Sequence, residues 1–231
     1  LRRKNKFNML PKVKNPSLLE TALTHRSALN EPAISGTTSV VSNERLEFLG
    51  DAVLELVVTN YLFEEFPDQP EGTLTAYRSA LVRTETLAQV AVELDLGKKL
   101  YLSKGEEAGG GRENIGLLAD TFEAVVGALY LDHGMDVVVS FVKEVLIPKF
   151  EVIIEKKLYK DSKSALQELL QAQGLEAPVY ELIDEQGPDH AKIFTMQVKV
   201  KGEVIGSGTG NSKQLAQQQA AAQALTKFEK N

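Results

Sequence analysis

Five carboxylates stand in two largely apolar stretches, NERLEFLGDAVL at 43–54 and LLADTFEAVVGALYL at 117–131. Glu44, Glu47 and Asp51 are separated by three and four residues, which places them in one narrow sector of a helix turning about 100° per residue. Leu46, Phe48, Leu49, Val53, Leu54, Leu56 and Val57 crowd the rest of that helix. In the second stretch Asp120 and Glu123, three apart, face the same way. A helix that is apolar all round is buried, and a buried carboxylate must find a partner or take up a proton. Arg45, Arg78, Arg83 or Arg112 could pair with these acids, they could line a solvated stripe, or two could share a proton. A divalent cation would satisfy all of them at once. The chain has no Cys and only three His, so any metal site rests on carboxylates, which favours Mg²⁺ or Mn²⁺ over Zn²⁺.

The elements that must position these acids fall into two regions. Residues 16 to 155 read as successive helices with apolar residues at helical spacing. Ser42 or Asn43 is the expected N-cap of the first acidic helix, and Pro67 ends it near Phe66. EPAISGTTSV at 31–40 and SKGEEAGGGREN at 103–114 interrupt the series as polar or glycine-rich loops. From about Lys160 the rhythm changes. SKSALQELLQAQG predicts a helix, PVYELIDEQ, KIFTMQVKV and GEVIGSGTG predict three strands, and SKQLAQQQAAAQALTKF predicts a closing helix. An α-β-β-β-α order over about 70 residues is a small α+β unit with its helices on one face of an antiparallel sheet.

These motifs carry a resemblance. NERLEFLGD at 43–51 is similar to the signature motif of the ribonuclease III family, and LADTFEAVVGALYLD at 118–132 resembles that family's second acidic motif. THRSALNE at 24–31 and LSKGEEAGGGREN at 102–114 match further family segments in order. SALQELLQ, GPDH at 187–190 and GSGTGNSKQLAQQQAAAQAL at 206–225 resemble a double-stranded-RNA-binding domain. The resemblance implies an all-α endonuclease and dimerisation domain over 1–155, a linker over 156–161 and an α+β double-stranded-RNA-binding domain over 162–231. It further implies a Mg²⁺-dependent, homodimeric, cytoplasmic endonuclease that processes rRNA, mRNA and other structured RNA. Its products would carry 5′-phosphate and 3′-hydroxyl ends with short 3′ overhangs. The metal set would be Glu47, Asp51, Asp120 and Glu123, with Glu44 and Glu71 as outer acids; Asp51, Glu123, Glu44 and Glu71 would act on the scissile strand.

For the RNA the resemblance implies minor-groove contacts from Gln167 and Glu168, a second from His190, and phosphate contacts from Ser212 and Lys213 at a helix N-terminus. Gln214 and Gln217 depart from the charged residues usual at those positions. Residues 160–231 hold eight Lys/Arg against nine Asp/Glu, so attraction to phosphate should be weak and its salt dependence shallow. Arg78, Arg83 and Arg112 are as readily ordinary surface charges as backbone contacts, and His25 is expected to pack or hydrogen-bond locally.

Composition sets outer bounds. A 231-residue chain with 43% hydrophobic and 25% charged residues suits one or two globular domains. No apolar run is long enough for a membrane span, and a net charge of −6 argues against indiscriminate polyanion binding. Gly109, Gly110 and Gly111 lack the strand and Lys of a P-loop, so no nucleotide cofactor is expected. The apolar surplus of the two acidic helices predicts a two-fold partner that covers it. A duplex-RNA-binding protein that does not cut and a helical hydrolase of small phosphate compounds are the competing classes.

Overall fold

The computed structural model describes residues 10–30, 41–155, 159, 161–187 and 192–228. The chain divides into two compact units, Leu1–Tyr159 and Lys160–Asn231.

In the first unit the helices are α1 (Pro16–Ala22), α2 (Glu44–Glu65), α3 (Glu71–Val82), α4 (Thr84–Glu93), α5 (Lys104–Ala108), α6 (Ile115–His133), α7 (Met135–Val145) and α8 (Pro148–Glu155). Helix α1 begins where Asn15 accepts a hydrogen bond from the Ser17 amide and Pro16 occupies the first turn, a position where a missing N–H costs nothing. Asp132, at the end of α6, accepts the Lys14 and Asn15 amides at 2.6 and 2.9 Å and so ties the approach to α1 onto α6. Helix α6 lies at the centre, with Leu118, Phe122 and Val125 among a run of side chains buried on every side. Leu54, Val58 and Leu62 of α2, Leu87 and Val90 of α4, and Val138 and Val142 of α7 pack into the same core. Phe66, Tyr77, Phe150 and Tyr159 close one end through edge-to-face ring contacts, the arrangement that aromatic quadrupoles favour.

One local outcome differs from the sequence expectation, and the expected N-cap of α2 holds at Asn43 in position only. The segment expected as a glycine-rich loop forms α5, capped by Ser103 accepting the Glu106 amide, then a 3-10 turn at Gly111–Glu113. Its anchor is Arg112, which donates to the carbonyls of Gly97 and Leu100 and to Glu107. Asn43 occupies the N-cap position of α2 without a side-chain cap; its amide instead donates to the Thr24 carbonyl. The loop expected over 31–40 lies outside the described residues.

The second unit contains α9 (Ser162–Ala172), β1 (Val179–Gln186), β2 (Ile193–Val200), β3 (Glu203–Gly210) and α10 (Lys213–Phe228). The strands form an antiparallel sheet in the order β1-β2-β3. Lys201 and Gly202 join β2 to β3, both at positive φ, as the tight hairpin turn requires. Met196, Val198 and Val200 face inward, as the period-two pattern predicts, against Leu166 and Leu170 of α9 and the Ala216, Ala220, Ala221 and Ala224 stripe of α10. Glycine makes the closest packing possible. A Cβ on Gly206 would stand 2.9 Å from the Ala224 nitrogen, and one on Gly208 2.6 Å from the Gln219 carbonyl carbon, so α10 lies directly on the β3 backbone.

Candidate active site

The acids meet because α2 and α6 cross without side chains between them. A Cβ on Gly50 would overlap the Glu123 carbonyl and stand 2.9 Å from the Gly127 nitrogen. A Cβ on Gly127 would in turn overlap the Leu46 carbonyl. Two interior glycines thus set the helix separation, and Glu47, one turn from Gly50 on α2, comes together with Glu123 and Asp120, one and two turns before Gly127 on α6. One carboxylate oxygen from each of these three lies within 4.8 Å of the others.

The electrostatics describe a site short of positive charge. Burial, reinforced by the charges of Asp51, Asp120, Glu47 and Glu55, pushes Glu123 up to about 8. Burial also raises Glu47, helped by Asp120, Glu44 and Asp51. Asp120 is raised by burial and partly restrained by His25 and by a backbone amide. The alternative of arginine pairing loses three of its four candidates. Arg78 donates to Thr59 at 3.1 Å, Arg83 to Thr86 at 3.3 Å, and Arg112 holds the carbonyls named above. A hard divalent ion fits this donor set: three carboxylates whose oxygens converge within 4.8 Å, with no nitrogen or sulfur ligand among them.

The remaining expected residues are distributed around the cluster. Asp51 is exposed and outside the three-oxygen set, yet its charge acts on Glu123 more strongly than that of any other acid. Glu44 accepts from Ser42 at 2.7 Å and pairs with Arg26 at 3.5 Å, both partners being exposed. Glu71 opens α3 and accepts from Thr75 at 2.9 Å. His25 hydrogen-bonds locally, its Nδ1 2.9 Å from Ser27 Oγ, while Ser27 Oγ accepts the Ser103 amide at 3.0 Å. The influence of His25 on Asp120 was not foreseen from the sequence. Nor was the glycine crossing, although a glycine inside each of two apolar helices, at a cost of about 1 kcal/mol against Ala, signals close approach.

In the second unit Gln167 and Glu168 are exposed on α9. Ser212 caps α10 by accepting the Leu215 amide at 3.2 Å. Lys213 opens the helix with its ammonium 5.7 Å from the centre of the Phe194 ring, within cation–π range. His190 lies outside the described residues. No helix among the described residues is long and apolar enough to cross a membrane.

Comparison with known proteins agrees with this division. A family model described as ribonuclease-III-like matches residues 15–150, and one for the double-stranded RNA binding motif matches 162–227. Ribonuclease 3 of Streptococcus gordonii is 48% identical over 214 residues, covering 93% of this chain and 90% of the relative. That of Desulforamulus reducens is 46% identical over 215 residues, covering 93% and 86%. Among solved structures, the nuclease domain of ribonuclease III from Campylobacter jejuni is 36% identical with a TM-score of 0.56, covering 65% of this chain and 98% of that one. A helical acid-site nuclease fold followed by an RNA-binding motif defines the class. The chain belongs to the ribonuclease III family.

Proposed function

We propose that the chain is a homodimeric, divalent-metal-dependent endonuclease that hydrolyses both strands of double-stranded RNA. The observation that carries this is the carboxylate cluster of Glu47, Asp120 and Glu123 at the α2–α6 crossing, in a chain that also holds a double-stranded RNA binding motif. Glu47, Asp120 and Glu123 would hold Mg²⁺, with Mn²⁺ as a substitute, and Asp51 would join them from the exposed side of α2. When bound, the metal supplies an activated water and neutralises charge developing on the phosphate and the leaving oxygen. The chain's own part is to pre-position the carboxylates and to engage Arg78, Arg83 and Arg112 with other partners. Glu44 and Glu71 act as outer acids toward the scissile strand. The ends produced are 5′-phosphate and 3′-hydroxyl, with short 3′ overhangs.

The second copy is supported by α2 itself. Phe48, Leu56 and Phe63 are 81%, 58% and 71% exposed and fall within a sector of roughly 80°, beside the stripe of Glu47 and Asp51. A two-fold partner on that stripe would bring two acid clusters together, one for each strand. The Campylobacter jejuni structure is described as flexible in a region involved in dimer formation.

Residues 1–155 provide cleavage and dimerisation, 156–161 the connection and 162–231 the grip on RNA. In that grip Gln167, Glu168 and His190 face minor grooves while Ser212 and Lys213 face phosphate. Structured precursors of rRNA and mRNA in the cytoplasm are the substrates that fit such shape-based recognition. The test is cleavage of a plain RNA duplex in Mg²⁺ beside the single strand and a DNA duplex, with Ca²⁺ and Glu123→Gln as controls. Cutting confined to duplex RNA and lost in both controls is expected. Binding without cutting by the wild-type chain would sink the nuclease reading.

A further inference from the structure

The second unit contains a side-chain lock between its two helices, one turn away from each pair of RNA-facing residues. Asp161 caps α9: its carboxylate accepts the Ser164 amide at 3.2 Å and the Ser164 hydroxyl at 2.6 Å. The same carboxylate accepts from Gln218 Nε2 of α10 at 2.9 Å. Gln218 returns the contact, its Oε1 accepting the Lys163 amide at 3.2 Å, one of the first-turn N–H groups that has no partner inside its own helix. Gln217 completes the set by accepting from the Lys163 ammonium at 2.6 Å, and that ammonium lies 5.0 Å from the centre of the Tyr180 ring of β1. The orientation of the Gln218 amide is fixed by chemistry, since its NH₂ meets a carboxylate and its oxygen meets an N–H.

Spacing gives the lock its purpose. Lys163 stands four residues before Gln167, and Gln217 four residues after Lys213, so each locked residue adjoins an RNA-facing one along its helix. Duplex RNA is recognised by the spacing of its grooves and phosphates, and a binder whose contact groups are already at that spacing loses less freedom on association. We propose that Gln218, assisted by Gln217, is a positioning residue for duplex RNA, holding α9 and α10 at the separation the duplex requires. This inference rests on the reading of residues 162–227 as an RNA-binding unit. The two amides are not equivalent. Gln217 only accepts, so a carboxylate can replace it. Gln218 also donates to Asp161, so a carboxylate there would face another carboxylate.

The experiment compares full-length Gln217→Glu, Gln218→Glu and Gln218→Ala with the wild type, using a plain RNA duplex and Mg²⁺. Gln218→Ala and Gln218→Glu should raise KM about tenfold, the scale of one charge-assisted hydrogen bond, with kcat unchanged. Gln217→Glu should keep the wild-type KM. The slope of log affinity against log salt should stay the same in all of them, because no phosphate contact is removed. Equal KM in the wild type and both Gln218 variants would overturn the lock, as would a salt slope reduced by about one, which would make these residues direct phosphate contacts. Equal loss in Gln217→Glu and Gln218→Glu would also overturn it, pointing to added negative charge rather than lost geometry. A wild-type chain that binds duplex no better than single-stranded RNA would instead refute the underlying RNA-binding reading.

Discussion

Gly50 of α2 packs against the main chain of Glu123 of α6, so closely that a Cβ on Gly50 would stand 2.6 Å from the Glu123 carbonyl carbon. The glycine therefore sets where a candidate metal ligand sits, although it has no side chain of its own to offer. Gly50→Ala should push the helices apart, cost about 1–3 kcal/mol of stability through overpacking, and abolish cleavage even in the molecules that remain folded. Gly72 is the matched control. A Cβ there meets nothing within 4 Å, in the first turn of α3, so Gly72→Ala should add about 0.5–1 kcal/mol and leave cleavage intact. Urea unfolding and cleavage per folded molecule check both.

The acids were legible because their relation is local: Glu47 with Asp51, and Asp120 with Glu123, share a helix face by spacing alone. That the two faces meet depends on Gly50 and Gly127, seventy-seven positions apart in the chain, which periodicity does not connect. The same limit explains Arg112. Its charge in a glycine-rich segment suggested a surface contact, whereas the carbonyls of Gly97 and Leu100 that claim it come from a turn whose position only the fold determines. In the second unit the inward alternation of Met196, Val198 and Val200 and the alanine stripe of α10 were readable because both are single-element patterns, although Phe194, which shares that strand face by spacing, is only half-buried. The amide lock on α9 was not, since glutamines at 217 and 218 look like exposed helix surface until Asp161 and Lys163 are brought beside them.

The raised Glu123 makes a signed prediction about pH and metal. Its ordinary value is 4.5, and in the folded chain burial and its acidic neighbours push it up to about 8. Between those values the folded state binds the extra proton, so the contribution of this group to stability is fully present below 4.5 and is lost as pH rises through about 8. A divalent ion competes with that proton. Without metal, the Tm should fall across this window, and Mg²⁺ or Ca²⁺ should raise it most at the alkaline end. Glu123→Gln should flatten both responses and reduce Mg²⁺-dependent cleavage by about three orders of magnitude. Thermal scans at several pH values, with chelator and with each ion, would reveal any failure of this ordering.

The exposed stripe of α2 predicts a defined assembly. Leu56 is 58% exposed in the single chain, so Leu56→Glu should leave the protomer's own stability within about 0.5 kcal/mol of wild type. Buried in an interface, the same substitution should weaken association about a hundredfold or more. Sedimentation at micromolar concentration should then show monomers, and cleavage should fall with the dimer fraction. An unaltered dimer in Leu56→Glu would place the interface elsewhere.

Arg112 offers a prediction that separates architecture from RNA contact. One terminal nitrogen donates to Gly97 O at 2.9 Å and Leu100 O at 3.0 Å, while its Nε donates to Glu107 at 2.6 Å. Lysine cannot reproduce this, because a single ammonium on a flexible stem cannot present donors from two rigidly spaced nitrogens. Arg112→Lys should therefore cost about 2 kcal/mol, the scale of charged hydrogen bonds to carbonyls left without a donor. If the side chain is committed to holding the turn, the salt dependence of RNA binding should match wild type at temperatures where the variant is folded. A slope lowered by about one would mean that Arg112 leaves the turn to meet a phosphate, since replacing a guanidinium that never touches the duplex releases no counterion.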